Sequence, residues 1–502
     1  MMLDPTNCYQ ALISRDARFD GCFYTGVITT GIYCRPVCPA RKPKAEHCRF
    51  FAHPATAEAA GFRPCLKCRP ELAPGHPQRP QKGTLAYRAE YYIRTGLITS
   101  EQPVSSTGSH RSGPAYCQED LAKALGVTSR HLRRTFRQHF GVSPHAYTQT
   151  QRLLNAKRLL AERSLSITEI AMIAGFGSLR RMNALFKQHY QLTPRQLRSS
   201  AAHQVSQNLH FEQTYRPPYD HTALLSFLGA RAIPGVEIVH QHQYCRSVSL
   251  FHHNQYHQGC LAVDWLPEPH SKVQITLSAS LAPVTPQILE ALSHLLDLDA
   301  NPAEINTTLG LLANHNPGLR APGAFSGFEL AVRAILGQQV SVAAARTLAG
   351  RIASLGTHCT FHEDQSITFD HQKTTSDQAL TYYFPNADQL DECGAQTLIQ
   401  LGVMPSRAHA IIALAQASKE GLTLHPGSDY DTTTSWLNSL PGIGPWTAQY
   451  IAMRALHRPD VWPDNDHGLK KATGLSGAKL KAFMNQYAPW QAYATQHLWS
   501  QR

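Results

Sequence analysis

Four cysteines near the start of the chain form two close pairs, Cys34-Arg35-Pro36-Val37-Cys38 and Cys65-Leu66-Lys67-Cys68. Thiols spaced this way can close a tetrahedral Zn²⁺ site of the all-sulfur type. The plainest reading is a metal staple for a domain too small to hold itself together. The same set also carries chemistry. Four thiolates around a dication leave the site doubly negative, and metal-bound sulfur is deprotonated at neutral pH. A soft sulfur anion of this kind suits attack on a methyl carbon.

A second set lies far along the chain, in Leu440-Pro441-Gly442-Ile443-Gly444-Pro445-Trp446-Thr447-Ala448. Two glycines one residue apart, just ahead of a helix, predict a tight hairpin whose backbone N–H groups hold a phosphate without charge. Gly442, Gly444 and Thr447 are the candidate contacts, and they give position rather than base identity. Val461-Trp462-Pro463-Asp464-Asn465-Asp466-His467 follows. Asp464 and Asp466 lie two residues apart there, and a fixed carboxylate can stabilise a developing positive charge or orient a water. Trp446 and Tyr450 are four apart, which in isolation reads as core packing. Beside a hairpin they offer aromatic faces that attract a cationic base by about 0.5–2 kcal/mol.

The elements between these sets carry arginines at helical spacing. Glu119–Phe140 reads as two helices around Gly126, with Leu121, Ala122, Leu125, Leu132 and Phe136 inward, Ser129 as a cap, and Arg130, Arg133, Arg134 and Arg137 outward. Ser166–Tyr190 repeats the plan around Gly175, with Leu185 and Phe186 inward and Arg180 and Arg181 at the start of the second helix. Arginines at the amino end of a second helix suit a DNA major groove. A helical stack that binds no DNA is the plainer alternative.

The chain has 502 residues and a net charge of +12. Residues 1–200 hold 29 Lys and Arg against 12 Asp and Glu, and the remainder holds 18 against 23. A basic first half points to a polyanion such as nucleic acid. No apolar run approaches the roughly 18 residues a membrane span needs, and no signal peptide is expected. Cys8, Cys22, Cys48, Cys117, Cys245, Cys260, Cys359 and Cys393 show no pairing rhythm, so a reducing cytoplasm is expected. A flexible insertion is expected at Ser105–Ser109, a linker at Ser199–Asn208 and a surface excursion at His358–Tyr383. Strands are expected near Ser247–Phe251 and Val273–Leu277.

Three family resemblances organise these readings. Thr29–Cys38 and Ala60–Cys68 resemble the zinc domain of Ada-type DNA repair proteins. That resemblance implies Zn²⁺ held by Cys34, Cys38, Cys65 and Cys68, with Cys34 accepting a methyl group from a DNA methyl phosphotriester and Arg41 and Arg63 near the backbone. Ile170-Ala171, Gly175-Phe176, Phe186-Lys187 and Thr193-Pro194 resemble the AraC-type tandem helix-turn-helix signature. The hairpin, Pro217-Pro218-Tyr219-Asp220 and Ala334-Ile335-Leu336-Gly337-Gln338 resemble AlkA-type 3-methyladenine glycosylases of the helix-hairpin-helix superfamily. That last resemblance implies Asp466 as the catalytic carboxylate and Trp446, Tyr450 and Trp490 in the base pocket. Gln339 stands where the pattern has a wedging leucine, and His467 replaces an aromatic neighbour of the carboxylate. Trp446 fills the slot of the strand-cutting lysine, which implies base release alone. The Pro-Cys-His-Arg motif of a further Ada methyltransferase domain is missing.

The expected fold is multidomain α+β. It comprises a small four-cysteine zinc α/β domain (1–80), an all-α tandem helix-turn-helix domain (83–198), an α+β AlkA-type amino-terminal domain (209–316) and an all-α helix-hairpin-helix glycosylase domain (317–502). The expected function is excision of alkylated purines by a DNA glycosylase fused to a methyl-phosphotriester-sensing, self-inactivating transcriptional activator. Expected partners are double-stranded DNA and RNA polymerase, with no membrane and a monomeric state. Two other readings are a repair glycosylase whose basic half only tethers it to DNA, and a regulator with an inactive glycosylase half.

Overall fold

The computed structural model describes residues 4–77, 84–97, 118–162, 164–199, 208–266, 270–359 and 379–501. The insertion expected at 105–109, and most of the expected linker and surface excursion, lie outside these residues.

The first unit starts with α1 (Pro5–Ser14), whose first turn is held by Asp4 Oδ1 accepting from Thr6 N. Strands β1 (Tyr24–Val27), β2 (Ile32–Cys34), β3 (Cys48–Phe51) and β4 (Arg63–Pro64) follow, with α2 (Pro54–Ala59) between the last two. The sheet order is β3-β1-β2-β4. A Cβ at Gly26 would stand 2.8–2.9 Å from the Phe51 and Phe62 rings, so β1 needs a glycine there for them to close over it. Ile32 and Tyr33 pair in parallel with Arg63 and Pro64. That register brings Cys34 and Cys65, the residues that follow each pair, side by side.

Seven helices come next among the described residues: α3 (Leu85–Thr95), α4 (Gln118–Ala124), α5 (Ser129–Phe140), α6 (Pro144–Leu159), α7 (Ile167–Ile173), α8 (Leu179–Tyr190) and α9 (Pro194–Ser199). Both expected helix pairs form. Gly126 (φ 70°) and Gly175 (φ 79°) make left-handed turns that a Cβ would strain. The cap of α5 is Thr128 rather than the expected Ser129, since Thr128 Oγ1 accepts from His131 N. Leu132, Phe136 and Phe140 are buried on one face of α5, each contributing roughly 1.5–3 kcal/mol. Met182 and Phe186 fill the inner face of α8, with Leu185 only partly buried.

The remainder opens with β5 (Asn208–Thr214), α10 (His221–Arg231), β6 (Glu237–His240), β7 (Gln243–His252), β8 (Gln255–Trp265) and β9 (Lys272–Ser278), in the antiparallel order β5-β9-β8-β7-β6. Helices α11 (Thr285–Leu295), α12 (Pro302–Leu309), α13 (Gly327–Leu336), α14 (Val342–Ala353), α15 (Ala387–Gln400), α16 (Pro405–Lys419), α17 (Tyr430–Ser439), α18 (Pro445–Arg454), α19 (His467–Thr473), α20 (Gly477–Asn485) and α21 (Gln491–Ser500) complete it.

Buried clusters cross the expected boundaries. One runs from Leu153, Phe186 and Tyr190 into Leu209, Phe211 and Leu298. Another joins Ala300 and Ile305 to Leu469 and Trp490. Polar contacts do the same. Lys157 Nζ donates to Cys65 O (3.0 Å) and Glu71 Oε2 (2.8 Å), and Arg94 pairs with Glu290 (2.8 Å). The Tyr91 ring lies between His294 and His425, at 5.6 and 5.0 Å. Apolar residues spaced three and four apart reveal that a helix has an inner face but not which distant element covers it, so these docked surfaces had no signature along the chain.

Candidate metal centre and active site

The four cysteines meet. Cys34 ends β2, Cys65 follows β4, and Cys38 and Cys68 sit in the turns after them. All four are buried and free of disulfides, and their Sγ atoms lie within 4.8 Å of one another. Cys38 Sγ and Cys65 Sγ are 4.0 Å apart. A Zn²⁺ tetrahedron with sulfurs at about 2.3 Å has edges near 3.8 Å. The donor set therefore fits Zn²⁺ with small rotations.

The sulfurs differ in their surroundings. Cys68 Sγ accepts a hydrogen bond from the backbone N–H of Arg35 (3.4 Å). Among the described residues no backbone N–H is directed at Cys34 Sγ. A hydrogen bond draws charge away from a thiolate, so the Arg35 N–H leaves Cys68 a less electron-rich sulfur than Cys34. Arg41 is exposed and Arg63 half-buried. Below the site, Tyr33 Oη donates to Glu58 Oε1 (3.1 Å) and Thr150 Oγ1 to Glu58 Oε2 (2.6 Å). Burial pushes the Glu58 carboxyl up to about 7, against the pull of those two donors.

Arg130, Arg133, Arg134 and Arg137 on α5, and Arg180 and Arg181 on α8, are all exposed. Ser178 Oγ caps α8 by accepting from Arg181 N (3.2 Å), which fixes where those two arginines leave the helix.

In the second half, Asp466 caps α19 and its Oδ1 accepts from Leu469 N (2.9 Å). Trp499 Nε1 donates to the same oxygen (2.9 Å), and Trp446 Nε1 donates to Oδ2 (3.1 Å). Three donors thus fix both carboxylate oxygens. Asp464 instead closes its own turn, its Oδ1 accepting from Asn465 N (2.8 Å) while Gln449 Oε1 accepts from its N–H (2.7 Å).

The Trp446 and Tyr450 rings are nearly parallel, 5.4 Å between centroids and 6° between planes. Trp499 is 6.4 Å from Tyr450. Trp490 does not join them. It is 1% exposed, packed edge-on against Tyr493 in the cluster with Leu480 and Met484. The expectation for Trp490 is corrected accordingly: the tryptophan at the carboxylate is Trp499, which the sequence did not single out. Behind Tyr450, Arg454 Nη1 donates to its hydroxyl (2.9 Å). Burial works to raise that phenol, but the guanidiniums of Arg454, Arg231 and Arg333 outweigh it and hold Tyr450 below the ordinary phenol range. Their separation in sequence hid this cluster.

The hairpin precedes α18. Gly442 has φ 80°, and a Cβ there would stand 2.9 Å from the Ala410 side chain. Gly444 is exposed at the amino end of α18, with nothing near its missing Cβ. Thr447 is buried and its hydroxyl accepts from Gln338 Nε2 (3.1 Å), so its side chain braces the hairpin. The same Gln338 amide donates to Gly442 O (2.9 Å). Its neighbour Gln339 is exposed at φ 53°. His467 is exposed at the first position of α19.

Family models match for the metal binding domain of Ada at residues 7–71, a helix-turn-helix domain at 121–200 and the AlkA N-terminal domain at 210–326. The Escherichia coli (strain K12) DNA-3-methyladenine glycosylase 2 is 36% identical over 287 residues, covering 57% of this chain and 95% of its own. The bifunctional transcriptional activator/DNA repair enzyme Ada of the same strain is 36% identical over 168 residues, 34% of this chain and 42% of its own. A probable bifunctional transcriptional activator/DNA repair enzyme AlkA of Mycobacterium tuberculosis (strain CDC 1551 / Oshkosh) is 34% identical over 517 residues, covering 99% of this chain and 96% of its own. The chain belongs to this family of AlkA bifunctional transcriptional activator/DNA repair enzymes, in which an Ada-type half is fused to an AlkA-type glycosylase half.

Proposed function

We propose that the protein repairs alkylated DNA with one half and senses DNA alkylation with the other. The observation that carries the proposal is the presence in one chain of a buried four-sulfur cluster and a carboxylate held by two indoles beside a Gly-x-Gly hairpin.

In the glycosylase half, the hairpin N–H groups and the exposed Gln339 hold double-stranded DNA around a flipped base. The Trp446 and Tyr450 faces, with Trp499, take the alkylated purine, and His467 borders the opening. The bond from sugar C1′ to the purine breaks and the base leaves with the electron pair. Asp466 stabilises the sugar cation through its fixed negative charge. A water oxygen then bonds to C1′ and its proton goes to solvent. Trp446 occupies the position after Pro445, where no amine is available for a Schiff base, so the strand stays intact.

In the sensor half, Cys34, Cys38, Cys65 and Cys68 hold Zn²⁺, which when bound keeps the sulfurs as thiolates. Cys34 Sγ bonds to the methyl carbon of a phosphotriester, the methyl–oxygen bond breaks, and the phosphodiester leaves with the electron pair. The thioether is permanent, so each chain acts once. Removing one negative charge weakens repulsion from DNA, worth about tenfold in affinity at moderate salt if it equals one phosphate contact. Arg41 and Arg63 approach the backbone, while Arg133, Arg134, Arg180 and Arg181 enter major grooves at a promoter. RNA polymerase is the further partner of such an activator. Monomeric action in the cytoplasm completes the reading. Among the described residues no helix is long and apolar enough to cross a membrane.

Incubating the intact protein with alkylated duplex tests both halves together. Free 3-methyladenine and one added methyl on Cys34 are expected. Release without any methyl on Cys34 would reduce the first half to a tether, and a methyl without release would make the second half a scaffold.

A further inference from the structure

We propose that Thr214, in the first strand of the glycosylase half, is a positioning residue for methyl transfer at Cys34 and acts through Arg35. The proposal rests on the reading of Cys34 as the methyl acceptor.

Arg35 follows Cys34 directly and is 5% exposed. Its guanidinium holds three partners at once. Asp20 takes a two-point ion pair, Cys68 O accepts from Nη1 (3.1 Å), and Thr214 Oγ1 accepts from Nη2 (3.0 Å). Its backbone N–H points at Cys68 Sγ (3.4 Å). One residue therefore fixes both the carbonyl and the sulfur of the last zinc ligand. Thr214 commits its own proton to Leu72 O (2.6 Å), which leaves its oxygen to accept from Arg35. The strand is anchored there independently, because Arg216 Nη2 donates to Gly75 O (2.5 Å) and Gly75 N donates to Asp299 Oδ1 (2.6 Å). The glycosylase half thus supplies the fixed end of a bridge whose other end is a ligand of the metal.

The consequence is electronic as well as spatial. The Arg35 N–H draws charge from Cys68, and Cys34 has no such donor. Releasing the guanidinium from Thr214 lets the Arg35 main chain drift. Charge then evens out among the sulfurs and Cys34 loses its advantage as nucleophile.

The test uses the full chain with Thr214→Val and Thr214→Ser. Methyl uptake from methyl-phosphotriester duplex is timed by protein mass. Base release and metal content are measured on the same samples, and the thiolate-to-metal charge-transfer band is recorded after cobalt substitution. Thr214→Val should slow methyl uptake about tenfold and move the band. It should keep one metal per chain and unchanged base release, and Thr214→Ser should restore both lost features. An unchanged rate and band overturn the proposal, as does loss of metal or of base release together with methyl uptake. Arg35→Lys keeps the charge without the fork, so adding Thr214→Val to it should cost nothing further, and additive losses would contradict the bridge. A parent protein that takes no methyl at all overturns the reading of Cys34 instead, and does so before any variant is made.

Discussion

On the proposed reading the chain has two reactive anions, and they are treated in opposite ways. Cys68 accepts a backbone N–H from Arg35 (3.4 Å), whereas among the described residues no backbone N–H hydrogen bond reaches Cys34 Sγ. Asp466 receives two indole N–H groups and one backbone N–H. A hydrogen bond to an anion stabilises its charge and blunts its attack. On the proposed reading, the group that must form a bond is left without donors. The group that must only remain negative beside a forming cation has three. Donor count separates a nucleophile from an electrostatic partner where burial does not, since Cys34 and Asp466 are both 8% exposed.

The largest effect should come from Cys34→Ala. Methyl uptake should vanish, with no methyl appearing on Cys38, Cys65 or Cys68 by peptide mass mapping; transfer to another cysteine would break the donor argument. Asp466→Asn should lower single-turnover base release by about a thousandfold while leaving duplex binding in place, because the carboxylate acts on the transition state. Wild-type release from that variant would move the role to Asp464. Trp499→Phe keeps a ring but removes one donor, and should slow release about tenfold, the worth of a hydrogen bond to a charged group. The same change at Trp490, buried and without a bond to Asp466, should lower thermal stability more than it lowers the rate; the reverse outcome would restore Trp490 to the pocket.

A smaller effect is expected where the halves touch. Burial, helped by the charges of His294 and Arg88, lowers His425 to about 4, and its Nδ1 accepts from Gly427 N (3.1 Å). The unfolded chain would bind a proton near pH 6.5. Stability from this group is therefore complete above about pH 6.5, declines as the pH falls, and is gone below about pH 4. The loss is of order 1–3 kcal/mol. His425→Asn keeps an acceptor without the titration, so its urea midpoint should fall less than the parent's between pH 7 and pH 4.5.

Much of this was legible along the chain because the informative residues are close together. The cysteine pairs, the Gly442–Gly444 hairpin and the arginine-bearing helices each occupy a short segment, and each formed where expected. Trp499 lies 33 residues from the carboxylate it holds and nine from the tryptophan expected in its place, on a helix whose residues are nearly all buried. No periodicity separates two tryptophans in such a setting. The bridge from Arg35 to Thr214 spans 179 residues, and a threonine in an alternating strand carries no mark of the guanidinium it meets. Thr447 carries a second such contact: its place beside the glycines suggested a phosphate contact, and its hydroxyl also accepts from the Gln338 amide, 109 residues away along the chain.

The buried cluster that passes from Phe186 and Tyr190 into Phe211 and Leu298 has a practical result. A protease that severed the chain between residues 199 and 208 would produce two pieces on a denaturing gel and a single species on a sizing column. Parting them would require wetting an interior that both pieces built together, so the messenger and the mender would still travel as one.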